Sequence, residues 1–201
     1  LENFASPSLN VKVHINDFDL AATQEIIPEI IHKNQLTLQG TAPSLDISYQ
    51  GPIDTTESSD IRFSAELKDS VIISGTLNKT ASNISGNISY AEKILSWKNL
   101  NAEFNATAYK LTGNINPSLN PTIDTTIEND NLKLNTRFTY SPETVTFERL
   151  TGRYKNALFD ATGTTKSSSD GIPTLNFTGE AEFDLKDLPA LFPSVTESIK
   201  N

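Results

Sequence analysis

The chain has 201 residues, no Cys, no Met and a net charge of −9. Without Cys there is no disulfide or thiol chemistry, and without a basic block neither nucleic acid nor an anionic membrane surface is an expected partner of this segment. Hydrophobic residues make up 36%, too many for a disordered chain and too few for a thick two-sided core, a composition that suits sheets apolar on one face and wet on the other.

In chain order, the dominant period is two. Leu9, Val11, Val13 and Ile15 alternate with polar residues, and so do Leu36-Leu38, Leu45-Ile47-Tyr49, Ile61-Phe63-Ala65-Leu67 and Ile84-Gly86-Ile88-Tyr90. The pattern returns at Leu132-Leu134-Thr136-Phe138-Tyr140, Val145-Phe147 and Leu175-Phe177-Gly179-Ala181-Phe183. Alternation rich in Thr, Ile and Val predicts about a dozen half-buried strands. Turn signals separate them at Gly51-Pro52, Asn78-Lys79, Asn116-Pro117, Asn129-Asp130-Asn131 and Ser141-Pro142. Ser167 to Gly171 reads as the longest mobile loop.

Two segments break the alternation. Residues 20–33 place Ile26, Ile27, Ile30 and Ile31 on one helical face, with Asp19 as the cap and Pro28 forcing a kink or two short turns. A second short helix is expected near 185–199, where Leu185, Leu188, Leu191 and Phe192 repeat the design. Both follow the phrase Phe-Asp-Leu, at Phe18 and again at Phe183, 165 residues on. Residues 18–182 therefore read as one repeat and 183–201 as the start of the next, within a single β-groove segment of a larger protein. The absence of Met even at position 1 fits a segment cut from that protein, with any targeting or anchoring sequence upstream. A shorter echo lays residues 90–113 over 140–163 without a gap: Tyr90 meets Tyr140, Trp97 meets Phe147, Leu100 meets Leu150 and Gly113 meets Gly163.

Reactive groups are sparse. His14 sits at a polar-phase strand position and His32 near a helix end, and both read as solvated. No nucleophile elbow, P-loop, zincin or dinucleotide motif occurs, so no catalytic residue is assigned and the chain is not read as an enzyme. Asp124, Glu128 and Asp130 lack the spacing and glycine of a Ca²⁺ loop, so no metal or cofactor is expected. Sequons at Asn78, Asn83, Asn87, Asn105 and Asn176 follow from a composition rich in Asn, Ser and Thr. The missing Cys favours a bacterial envelope protein over a eukaryotic secreted one. Trp97, the single Trp, reads as a packing anchor.

A dozen amphipathic strands bury one face either as a closed sandwich or as a long curved sheet folded into an open trough. The second would offer acyl chains an apolar lane, lined by Val11, Val13, Leu38, Leu45, Ile47, Ile61, Phe63, Ile73, Ile88, Leu134, Phe138, Phe147 and Phe177. A closed structural or adhesive module without ligand is the alternative.

The run Leu36 to Ile53, with its L-x-L-x-G and Gly-Pro layout, is followed by the A-x-L-K-D step at 65–69, by meanders ending in Gly113 and Gly163, and by a closing Phe-Asp-Leu phrase. Together these resemble the AsmA-like family of bacterial envelope proteins, which includes the TamB type. The paired glycines usual after the meander's second strand are replaced here by Asn105-Ala106 and Lys155-Asn156. The resemblance implies an all-β, elongated, curved antiparallel sheet in a periplasmic segment, its parent anchored in the inner membrane. It further implies movement of phospholipid between membranes or maintenance of the outer membrane, with phospholipid acyl chains and other envelope proteins as partners. Membrane contact would come from regions outside this segment.

Overall fold

The alternating segments become strands. A computed structural model of the chain describes residues 8–23, 35–52, 59–75, 79–116, 120–166 and 174–184. Regular structure among these is eleven β-strands and one 3-10 turn, so the all-β expectation holds. The chain forms two compact units, Leu1–Pro117 and Ser118–Asn201. The boundary falls inside the 18–182 span.

The first unit is an antiparallel meander of β1 (Ser8–Asp19), β2 (Leu36–Pro52), β3 (Asp60–Ser74), β4 (Lys79–Ala91), β5 (Ile94–Phe104) and β6 (Thr107–Asn116), each paired with its neighbour in the chain. The second is a meander of β7 (Thr122–Glu128), β8 (Leu132–Tyr140), β9 (Thr144–Tyr154), β10 (Ala157–Lys166) and β11 (Thr174–Glu182). Several turns form where their residues predict. Asn129 Oδ1 accepts from the backbone N–H groups of Asn131 (2.9 Å) and Leu132 (2.7 Å), a side-chain mimic of a backbone turn. Ser141 and Thr144 exchange backbone hydrogen bonds of 2.8 and 3.2 Å around Pro142. By contrast, Gly51 and Pro52 are the last residues of β2, opposite Leu9 and Ser8.

The helical expectation is met only at its start. Asp19 Oδ1 accepts from Ala21 N at 2.9 Å and caps a 3-10 turn, Leu20–Ala22. The rest of the 20–33 segment, the loop at 167–171 and the 185–199 segment lie outside the described residues.

The core is thin. Among the described residues the buried hydrophobics are Ala42, Ala65, Leu67, Ile84 and Ala157. The first four form one cluster, against which Phe18, Leu20, Leu45, Ile88 and Leu100 pack. Three of the five buried hydrophobics are alanines.

One feature of the first unit is absent from the simple alternation. A residue in the left-handed region interrupts each of β1, β3, β4 and β5: Asp17 (φ 52), Asp69 (φ 47), Asn83 (φ 52) and Asn99 (φ 52). On β3, β4 and β5 these positions coincide with register shifts, each adding one residue to its strand. The apolar phase therefore steps by one along each strand: Ala65 and Leu67 give way to Ser70 and Ile72, and Leu95 and Trp97 to Leu100, Ala102 and Phe104. Ser70, 1% exposed, follows its apolar phase inward and donates its hydroxyl to the Lys68 carbonyl at 3.2 Å. Opposite it, Gly40 has φ 107, and a Cβ there would stand 2.7 Å from the Ser70 Cα, so only glycine fits this crossing.

Candidate functional site

Residues directly opposite in an antiparallel pair share a face, so register sorts the side chains. In the first unit, Val13, Ile47, Phe63, Tyr90, Leu95 and Ile115 form one row across six strands. Ile15, Leu45, Ala65, Ile88, Trp97 and Gly113 form the next row on the same face. Val11, Tyr49 and Ile61 begin a third. Seven of the residues expected to line a lane are thus brought together. Leu38 joins them beyond the bulges, opposite Ile72, which in turn faces Ala81 of the core cluster's rim. Ile73 does not. It pairs with Thr37 and Thr80, on the face opposite Leu38 and Ile72, because the extra residue at Asp69 inverts the phase of β3.

The second unit repeats the arrangement. Ile123, Phe138, Phe147, Gly163 and Phe177 form a row across five strands. The rings of Phe138 and Phe147 lie 5.4 Å apart, as do those of Phe147 and Phe177. Phe147 and Phe177 sit on strands that are not neighbours; they meet because Gly163 between them has no side chain, and a Cβ there would lie 2.6 Å from Phe177 Cδ1. Leu134 stands on the same face, in the row Ile127, Leu134, Gly152, Phe159, Ala181. Phe63 and Tyr90 stack similarly in the first unit, at 5.7 Å and 12°.

These faces are only partly covered. Val13 and Ile61 are each 42% exposed, and Phe177 is 38% exposed. Sequence reading missed Tyr90, Leu95, Ile115, Ile123 and Phe159 as members of the face. Tyr90 already stood in the alternation of β4, Leu95 sits on β5, whose phase is broken at Asn99, and Ile115, Ile123 and Phe159 carry the period-two spacing of β6, β7 and β10.

The opposite faces are polar. In the first unit His14 Nδ1 lies 2.7 Å from Asp46 Oδ1 and Nε2 lies 2.9 Å from Asn16 Oδ1. Hydrogen bonding to Asp46, then to Asn16, then the Asp46 charge, raises the imidazole pKa above its ordinary value of 6.5. A shallow cleft of about 390 Å3 runs beside this pair, with Lys12, Ser48, Arg62 and Ser64 in its walls. In the second unit Asp124 receives Arg149 Nη2 at 2.9 Å, and Arg137 Nε meets Glu148 at 2.9 Å. Lys133 pairs with Glu128 at 2.7 Å. Asp124 is therefore held by an arginine two strands away and Glu128 by a lysine on the adjacent strand, and among the described residues no group of three or more His, Asp or Glu is placed to hold a metal ion. No helix among the described residues is long and apolar enough to cross a membrane. Compared with protein-family models, curated proteins and solved structures, the chain matches none.

Proposed function

We propose that this chain is a non-enzymatic, lipid-binding groove segment of an envelope protein, whose parent is anchored in the inner membrane and spans the periplasm to support phospholipid transfer and outer-membrane homeostasis. The observation that carries the reading is the row of apolar side chains crossing every strand of each unit while staying half exposed. Hydrocarbon burial contributes about 0.8 kcal/mol per CH₂, so a sixteen-carbon chain leaving a membrane needs about 12 kcal/mol of replacement contacts. A short patch is too small for that; rows several strands long, two or three abreast, offer a larger one. The rows hold few polar side chains, so a bound chain meets little to stop it sliding. The cellular setting is proposed from the sequence motifs that resemble AsmA-like proteins alone.

A closed, ligand-free module would hide large side chains. The small buried set described above favours the open reading instead. The test is photocrosslinking in the cell envelope. Benzoylphenylalanine at Ile47, Phe63 or Phe138 should capture phospholipid, identified by mass spectrometry, whereas the same probe at Lys12 or Asp46, on the other face, should not. Equal capture by both sets, or by neither, would sink the proposal.

A further inference from the structure

The hairpin β5–β6 and the hairpin β9–β10 are one design written twice. Ile94–Phe104 and Thr107–Asn116 become Thr144–Tyr154 and Ala157–Lys166, every boundary displaced by fifty residues. The registers coincide under the same displacement: Leu95 opposite Ile115, Trp97 opposite Gly113 and Leu100 opposite Leu111 become Val145 opposite Thr165, Phe147 opposite Gly163 and Leu150 opposite Ala161. Each register shifts once, between Trp97 and Leu100 in β5 and between Phe147 and Leu150 in β9. Each turn opens with a left-handed residue, Asn105 (φ 49) and Lys155 (φ 52). The strand entering each hairpin agrees as well. Tyr90 faces Leu95 and Ile88 faces Trp97, as Tyr140 faces Val145 and Phe138 faces Phe147.

Sequence similarity between amphipathic meanders is cheap, because any alternating segments align somewhere. Coincident bulges are not. A bulge shifts the face of every residue beyond it, so two hairpins keep the same bulge only if the surrounding strands make the same demand on both. From Tyr90 to Tyr140 the chain passes through β5, β6, β7 and β8. Four is an even number, so Tyr140 returns to the strand direction and the apolar phase of Tyr90.

We infer that residues 90–139 are an exchangeable four-strand module, and that the extent of the apolar face is set by how many such modules the chain carries. Removing them joins Ser89 to Tyr140. Tyr140 keeps its own partner, Val145; Ile88 then meets Phe147 in place of Trp97; and the bulge of β9, after Phe147, falls one residue from the place where β4 accommodates that of β5, after Lys98. The bearing on lipid capacity rests on the proposed function, whereas the module itself does not.

The experiment compares two deletions in the full chain. One removes residues 90–139. The other removes residues 90–138, one residue fewer, and so turns every side chain of β4 to the wrong face relative to β9. The first should keep a β-type circular dichroism spectrum, cooperative thermal unfolding and unchanged amide chemical shifts in β1 and β2. The second should lose cooperative unfolding. If the first deletion fails to fold, or if the two behave alike, the module is overturned. Phospholipid captured per chain by the first deletion should fall to about two-thirds, since seven of the eleven described strands remain; undiminished capture would overturn the link between module number and capacity. A folded deletion with no lipid on either it or the parent chain would instead sink the lipid reading and leave the module standing.

Discussion

His14 and Asp46 face each other across β1 and β2 with more than half of each side chain in water. Exposed pairs of this kind contribute little to stability, but they leave a clear titration signature. The folded pKa of His14 is raised, so whatever the pair contributes is fully present below the ordinary value of 6.5 and is lost as pH rises through the folded value. The His14 imidazole, followed by NMR, should therefore titrate above 6.5, and Asp46→Asn should bring it back toward that value by removing the strongest hydrogen bond and the charge together. A midpoint unmoved by Asp46→Asn would mean that the contact does not persist in solution. The same side chain also reports on face assignment. Its polar phase was legible from its place between Val13 and Ile15, because β1 alternates without interruption until Asp17.

At the scale of the strand, the left-handed bulge residues decide more than their number suggests. Asp and Asn tolerate that conformation better than other non-glycine residues, and all four interrupting positions carry one or the other. Asn99→Val places a β-branched residue at φ 52 and should cost about 1–2 kcal/mol, whereas Asn99→Gly should be nearly neutral. Urea denaturation of the two variants measures the difference; equal stability would mean that β5 runs through without its bulge. These positions also mark the limit of what the sequence disclosed. Alternation located the strands and most of the apolar rows, because side-chain period and burial coincide in a one-faced sheet. An Asp or Asn inside a strand looks like one more polar-phase residue, so the phase step after Asp69 was invisible and Ile73 was assigned to the wrong side of the sheet. The long β2 was hidden for a related reason: Leu36-Leu38 and Leu45-Ile47-Tyr49 alternate in opposite phases, yet one strand joins them, with an extra residue on β3 opposite Gly40 and an extra residue on β2 itself at Pro43. The meeting of Phe147 and Phe177 over Gly163 needed register across three strands, which no local pattern contains.

At the scale of the whole chain, the described residues include few buried hydrophobics and rows of half-exposed apolar side chains, which the proposed lipid would cover. Folding stability is a small difference between large terms, and a ligand that covers the exposed rows of the native chain stabilises it by mass action, by about 2.7 kcal/mol at a free concentration one hundred times Kd. A short-chain soluble phospholipid should therefore raise the melting temperature in a concentration-dependent way. Its headgroup alone, glycerophosphocholine, should not, because the proposed contacts are with hydrocarbon. Charged substitutions separate the faces further. Phe63→Glu, in the middle of the longest apolar row, should abolish most of the lipid-induced shift, since a carboxylate in hydrocarbon is strongly unfavourable. Ser64→Glu, one residue on and facing the opposite side, should leave the shift intact. Scanning calorimetry with and without lipid reads both variants. If Ser64→Glu lost the shift as completely as Phe63→Glu, the lipid would be recognising charge or general disorder, and the apolar face would have no claim to be the site.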